Sequence, residues 1–360
     1  MTKVTILCGL SPLPVCQALK TLEATEVVII HGSENVAKRV QSYCSNTLKI
    51  DESNVQLVEV NGLNPLECHE TLWGIRSLLA SSTLVYGPGT AVMNAMIHEV
   101  WRYAGGNGFE EGQSWYVQAT PARLLPSNAE VGKDGKVTQP TGLDCEGLIQ
   151  LHIPAGLRIN PFTKPRGKTP DVFADQVLNA LYLGTVTNEQ LAEINADPAT
   201  NEFTTQFDGP LDLGRFLEII VYQVLTQAFD LSEFAQSVKV FNDRDCVLEM
   251  DVLLRENDKS LWISCATLQN TGTTKLRKKY FEAMANATRL GGKETRSLTI
   301  VSEFNNRQTF AERKQRGIDL RDRVDLPAEC TTADRHIIVN IAELLGADPN
   351  TTVKTASKKR

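Results

Sequence analysis

Two turns near the amino end combine glycine with hydroxyl-bearing residues, and each follows an apolar run that predicts a β-strand. They are Cys8-Gly9-Leu10-Ser11-Pro12 and Gly87-Pro88-Gly89-Thr90. At the carboxyl ends of parallel strands, backbone N–H groups and helix N-termini face anions such as phosphates, and glycine lets a ligand approach the backbone closely. Because neither turn matches G-x-G-x-x-G, spacing alone leaves a phosphate site and a purely structural turn equally open.

The elements that position these turns are strands alternating with helices. From Lys3 to about Pro126, short apolar runs such as VTILCGL, EVVIIHG and TLVYGP are separated by helical stretches. This alternation predicts βαβ units and a mostly parallel sheet, hence a Rossmann-like domain over residues 1–126. Residues 127–210 are rich in Gly, Pro and Asn and are expected to form a connecting module.

The second half of the chain returns to a strong α/β pattern. From residue 211 the order is helix, three strands, helix and strand, which predicts a second α/β domain with a mixed sheet over residues 211–345. Residues 346–360 carry a run of basic side chains and are expected to be a disordered tail.

Composition places the chain among globular proteins of a reducing compartment. It has 360 residues, a net charge of −6 and eight cysteines without a CxxC pair, which favours buried thiols over a zinc site. The negative charge argues against broad electrostatic capture of duplex nucleic acid. Without an apolar run long enough to cross a membrane, the protein is expected to be cytoplasmic and to have no membrane partner.

The segment GPGTAVM, Gly87 to Met93, is similar to the GGTKxM-type turn of CRISPR-associated Rossmann-fold (CARF) domains, which hold cyclic oligoadenylate. The chain departs from that pattern at Ala91, where the family usually has lysine. The resemblance implies ligand contacts from three turns, whose residues are Gly9, Ser11 and Pro12; His31, Gly32 and Ser33; and Gly87, Gly89, Thr90 and Met93. For His31 the alternative is a hydrogen-bonded histidine at a strand end.

Three segments of the second domain form a further pattern: the helix from Gly214 to Tyr222, the strand from Leu248 to Val252, and Leu290-Gly291-Gly292. They resemble the PD-(D/E)xK nuclease domain of CARF nucleases activated by cyclic tetra-adenylate. The resemblance implies that Glu218 and Asp251 hold Mg²⁺ or Mn²⁺, as hard cations take carboxylate oxygens.

The next strand departs from the family. Ser264 and Ala266 stand where the family has its glutamate and lysine, so this catalytic set is degenerate. Two interpretations stay open for Lys275, Lys278 and Lys279 of the following helix. One of them replaces the missing lysine, or all three lie on a solvated helix face.

Together the resemblances imply a homodimeric receptor for cyclic oligoadenylate, cyclic tetra-adenylate in particular, in type III CRISPR antiviral defence. Ligand binding then needs no cofactor, the nuclease domain is inactive, and a ring-nuclease reaction in the CARF pocket stays open. The alternative is a ligand-activated, metal-dependent DNase or RNase with migrated catalytic residues, which requires Mn or Mg and acts on DNA or RNA. A metabolic dinucleotide-binding protein is disfavoured because G-x-G-x-x-G is missing.

Overall fold

The chain is described by a computed structural model. It describes residues 2–106, 113–118, 122–127, 135–154, 157–159, 213–228, 233–243, 245–267, 273–291, 295–302 and 336–340, with single positions at 192, 196, 312 and 315. The predicted tail, residues 346–360, and most of the predicted connecting module lie outside the described residues. No helix of the described part is long and apolar enough to cross a membrane.

The chain forms two compact units, of which the first is Met1–Ala155 with Leu290–Glu294. The elements of its main segment are β1 (Thr2–Cys8), α1 (Leu13–Thr21), β2 (Ala24–His31), α2 (Glu34–Asn46), β3 (Val55–Glu59), α3 (Pro65–Gly74), α4 (Arg76–Ala80), β4 (Thr83–Tyr86), α5 (Ala91–Tyr103), β5 (Ser114–Gln118), β6 (Arg123–Pro126), β7 (Lys136–Val137) and α6 (Cys145–His152). Helix starts follow the local chemistry. At α3, for example, the Asn64 side chain accepts the amides of Leu66 and Glu67, and Pro65 takes the first position.

The strands of the first unit form one mixed sheet in the order β3-β2-β1-β4-β5-β6-β7. Strands β1 to β5 are parallel, and β6 and β7 join antiparallel. The expected α/β alternation is confirmed. Strand β1 lies between β2 and β4, so the strand order reverses at β1. Such a reversal opens a crevice at the carboxyl edge of the sheet.

Helices cover both faces of this sheet. Strands β1 and β2 are buried on both sides, which explains their unbroken runs of Val, Ile and Leu. Val15 and Val40 pack with Ile6 and Ile29 on one face, and Ile97 and Trp101 pack with Leu7 and Ile30 on the other. The two layers fix the strand ends that carry the predicted turns.

The second unit comprises Gly156–Arg289 and Thr295–Arg360. Its elements are β8 (Leu157–Ile159), α7 (Leu213–Ala228), β9 (Glu233–Asn242), β10 (Asp245–Glu256), β11 (Lys259–Thr267), α8 (Thr273–Gly291), β12 (Arg296–Ser302) and β13 (His336–Asn340). They form a second mixed sheet in the order β13-β12-β11-β10-β9-β8, parallel from β11 to β13 and antiparallel elsewhere. Leu276 and Tyr280 of α8 pack against Val301 and Ile338, next to Ala266.

Candidate functional site

The turns after β1 and β4 are in direct contact at the carboxyl edge of the first sheet. A Cβ atom at position 9 would lie 2.6 Å from the amide nitrogen of Gly89, so any residue larger than Gly9 displaces the second turn. Leu10 is 88% exposed beside this contact. The two turns that the sequence singled out therefore form one surface.

Gly87 and Asn94 set the shape of the β4 turn. Gly87 has φ +114°, and a Cβ there would lie 2.9 Å from the carbonyl oxygen of Val117. Its N–H donates to Oδ1 of Asn94 at 2.7 Å, and Nδ2 of Asn94 donates to the carbonyl of Thr90 at 2.9 Å. Sequence reasoning missed Asn94, although its position one helical turn after Thr90 is a readable signal.

Thr90 links the start of α5 to the loop after β3. Its hydroxyl accepts the amide of Met93 at 3.2 Å, which caps the helix, and donates to the carbonyl of Gly62 at 2.6 Å. The described structure therefore gives Thr90 a clear positioning role. Gly62 was not predicted, because no motif marks the loop in which it lies.

Met93 fills the space beneath three turns. It is 2% exposed, and Cβ atoms built on Gly62, Gly89 and Gly32 would lie 3.0, 3.4 and 4.0 Å from its sulfur. The predicted ligand residue Met93 thus supports the glycine-bearing loops from below.

The turn after β1 leaves one hydroxyl unused. Pro12 is buried at the N-cap of α1, where its carbonyl accepts the amide of Cys16 at 3.0 Å. The Oγ atom of Ser11 is buried and has no hydrogen-bond partner among the described residues. Buried hydroxyls are usually paired, so Ser11 is a candidate for contact with a bound molecule.

His31 ends β2 as a buried histidine. It is 3% exposed, and its Nδ1 has no partner within the described part of the chain. Burial lowers the pKa of His31, against the opposing effect of the carboxylates of Glu59 and Glu34. The neutral imidazole is therefore favoured. The following Gly32 is exposed, and Ser33 precedes α2 without a side-chain cap bond.

At this edge Ser11 has a hydroxyl without a described partner, and Ala91 at the start of α5 is exposed and uncharged. Amides at turns and helix starts suit phosphate oxygens. The arrangement fits a phosphate-bearing ligand that is held largely by the main chain.

A second candidate site lies in the second unit around Asp251, which is 6% exposed. Its Oδ2 accepts the amide of Cys265 at 2.5 Å and the hydroxyl of Ser264 at 3.4 Å. Burial raises the pKa of Asp251, while Lys279 and the Cys265 amide act in the opposite direction. Glu249, which precedes it by two residues, forms a 3.3 Å ion pair with Lys239 at the surface.

Glu218 of α7 is the second carboxyl group of this site. Burial raises the pKa of Glu218 to about 8, with further contributions from the charges of Asp251 and Glu249 and opposing ones from Arg215 and Lys279. The charge of Asp251 thus acts on Glu218, and a shared metal site stays a prediction.

Of Lys275, Lys278 and Lys279 on α8, Lys279 is the one whose ammonium group approaches Asp251. Its Nζ lies 3.9 Å from Oδ2 of Asp251, whereas Lys278 pairs with Glu282 at 3.5 Å and Lys275 is exposed. Ala266 is partly buried against the cluster that α8 packs on. The sequence did not distinguish among the three lysines. The rotation of α8 about its axis determines which of them faces Asp251.

The donors of this site fit a resident Mg²⁺ or Mn²⁺ poorly. Proteins hold such ions through carboxylate oxygens together with waters or substrate oxygens, and Ser264 offers only a hydroxyl where the resemblance implies a further carboxylate. The described residues contain no group of three or more His, Cys, Asp or Glu side chains that could hold a metal. The Oδ2 atom of Asp251 is already engaged by protein donors.

Comparison with known proteins adds the fold. No protein-family model and no curated protein sequence matches the chain. The structure of Can2 from Sulfobacillus thermosulfidooxidans in complex with cyclic tetra-adenylate is similar over 98% of this chain and 99% of that one, with a TM-score of 0.61 and 15% identity. The chain has the fold of Can2. This shared fold spans both units.

Two further structures are similar. Protein VC1899 from Vibrio cholerae matches over 99% of this chain and 98% of that one, with a TM-score of 0.58 and 14% identity. A type III CRISPR defence DNA nuclease activated by cyclic oligoadenylate matches over 83% of this chain and 45% of its own, with a TM-score of 0.53 and 15% identity. This chain therefore shares its fold with proteins whose sequences are only 14–15% identical to its own.

Proposed function

We propose that this chain is a receptor for cyclic oligoadenylate, cyclic tetra-adenylate in particular, in type III CRISPR antiviral defence. The observation that carries the proposal is the contact between the Gly9 and Gly89 turns at the point where the sheet reverses its strand order. Support comes from Can2, which shares the fold and was solved in complex with cyclic tetra-adenylate.

The finer architecture belongs to the same proposal. The first unit is a Rossmann-like CARF domain with its predicted body at residues 1–126, and the second is a PD-(D/E)xK nuclease-like domain at residues 211–345. Two copies pair around a two-fold axis, so that each supplies half of the surface for a symmetric ring. The protein acts in the cytoplasm.

Ligand contacts come from backbone amides of the β1 and β4 turns, with Ser11 as the side chain that has unused hydrogen-bonding capacity. Thr90 acts indirectly, since its hydroxyl already bonds Met93 and Gly62. Ring cleavage in this pocket would require a ribose 2′-hydroxyl aligned with the neighbouring phosphate, which is a matter of positioning and needs no metal. Ser11 is therefore the residue to test for such a role.

In this proposal the second unit does not cut nucleic acid by a metal-dependent reaction. The alternative is a DNase or RNase in which Lys279 replaces the missing strand lysine, and its proximity to Asp251 is the observation in favour. That reaction needs Mg²⁺ or Mn²⁺, for which the donors around Asp251 are a poor set.

One experiment separates these functions. The full chain is incubated with labelled cyclic tetra-adenylate or cyclic hexa-adenylate, plasmid and RNA, in Mn²⁺ or in EDTA, and all components are then chromatographed. We expect bound ligand in both buffers, with plasmid and RNA intact. Ring products that persist in EDTA indicate ring-nuclease activity, whereas cleaved plasmid or RNA in Mn²⁺ alone would replace the proposal by its alternative.

A further inference from the structure

We infer that Lys279 is the built-in cation of the buried Asp251 carboxylate, and that its ammonium group takes the place of a divalent metal there. The inference concerns the second unit and does not depend on ring binding by the first. It also assigns a role to a lysine that the sequence did not distinguish from its two neighbours on α8.

The contacts of Asp251 carry the inference. Three donors lie near the same oxygen, Oδ2: the Cys265 amide at 2.5 Å, the Ser264 hydroxyl at 3.4 Å and the Lys279 ammonium at 3.9 Å. The Asp251 side chain is 8% exposed, and that of Lys279 is 41% exposed. A carboxylate so deeply buried requires a compensating charge and hydrogen bonds, and the protein itself supplies both.

The neighbouring packing explains why the charge comes from a helix. Ala266 is small and lies against the apolar cluster that contains Leu276 and Tyr280, which lets α8 sit close to the strand. Lys279 lies next to Tyr280 in the sequence and extends toward Asp251. A short strand residue and a helical lysine thus form one local arrangement.

A divalent ion at this place would meet the ammonium group as a like charge. Repulsion between such charges a few ångströms apart is substantial in a poorly solvated site. The wild-type site should therefore bind Mn²⁺ poorly. Removal of the Lys279 charge should create a cation site, because the buried Asp251 carboxylate would lose its positive partner.

The test is Mn²⁺ binding by the full chain, measured from the electron paramagnetic resonance signal of free Mn²⁺ and from the shift in thermal midpoint. Lys279→Met keeps the length of the side chain and removes its charge, and Lys278→Met is the matched control on the same helix. We expect wild type and Lys278→Met to show no midpoint shift up to about 1 mM Mn²⁺. Lys279→Met should bind at least about tenfold more tightly, and its midpoint should rise with Mn²⁺.

The double variant Asp251→Asn with Lys279→Met locates the new site, since it should lose the gain. Wild-type Mn²⁺ binding that Asp251→Asn abolishes would overturn the inference, as would a folded Lys279→Met protein that binds no more tightly than wild type. If Lys279→Met fails to fold, refolding is repeated with Mn²⁺. A variant that folds only with Mn²⁺ supports the inference, whereas failure to fold both with and without Mn²⁺ overturns it. Binding of cyclic tetra-adenylate, measured on the same samples, reports separately on the first unit.

Discussion

Replacement of Glu218 by glutamine should make the protein less sensitive to rising pH. Burial, with the charges of Asp251 and Glu249, raises the pKa of Glu218 from 4.5 to about 8 in the folded chain. Between these values the folded state binds more protons at this group than the unfolded state does. The contribution of Glu218 to the free energy of unfolding is therefore fully present below pH 4.5 and is lost as the pH rises through about 8. Glutamine keeps the shape without this titration.

The magnitude follows from the same range of pH. Each pH unit over which the folded state retains the extra proton changes the free energy of unfolding by about 1.4 kcal/mol, so the upper limit between pH 4.5 and 8 is about 5 kcal/mol. Solvent and side-chain relaxation reduce such costs in real proteins, so we expect a change of at least about 2 kcal/mol.

The assay is urea unfolding of wild type and Glu218→Gln at pH 5 and pH 9. The free energy of unfolding of the variant, relative to wild type, should increase by at least about 2 kcal/mol between the two pH values. Glu282→Gln, at a side chain 51% exposed on α8, is the matched control and should show little change. A Glu218→Gln difference that is the same at both pH values would refute the reasoning, because it would mean that Glu218 titrates normally.

Three further predictions concern the first unit and are measured by urea unfolding. Gly87→Ala should cost about 3 kcal/mol, because alanine is strained at φ +114° and its Cβ would lie 2.9 Å from the Val117 oxygen. The control Gly105→Ala has φ +102° but no atom within 4 Å and should cost only about 1 kcal/mol, so equal losses would contradict the role of the close approach. Thr90→Val should cost about 2–3 kcal/mol through loss of the helix cap and the bond to Gly62, whereas Thr90→Ser should stay within about 1 kcal/mol of wild type. Asn94→Ala should cost about 1–2 kcal/mol by leaving the Gly87 amide without its partner, and unchanged stability would show that the β4 turn holds its shape alone.

The fold of the first unit was predictable because its signals are local. Apolar runs such as those of β1 and β2 indicate buried parallel strands, and Thr90 before α5 indicates the start of a helix. The contacts among the turns were not readable in the same way. The bond from Thr90 to Gly62 spans 28 residues, and the position of Met93 beneath three loops depends on packing that no single segment encodes.

The second unit also contains a contact that could not be predicted from the sequence. The sequence identified Ser264 and Ala266 as departures from a metal-dependent site, and the structure places Ser264 on Asp251. It did not distinguish Lys279 from Lys275 and Lys278. That choice depends on how far α8 is rotated above the sheet, which is a property of tertiary packing. A motif can thus show that a charged residue is missing without showing which nearby lysine approaches the site.

The central claim is that the turns containing Gly9 and Gly89 cradle a cyclic oligoadenylate. The most direct measurement is isothermal titration calorimetry of the full chain with cyclic tetra-adenylate in EDTA, for wild type and Gly9→Ala. We expect saturable heat with one ring for two chains, and at least about tenfold weaker binding by the folded variant, because the added Cβ would lie 2.6 Å from the Gly89 amide nitrogen. Folded wild-type protein that stays monomeric and gives no heat with cyclic tetra-adenylate or cyclic hexa-adenylate would contradict it.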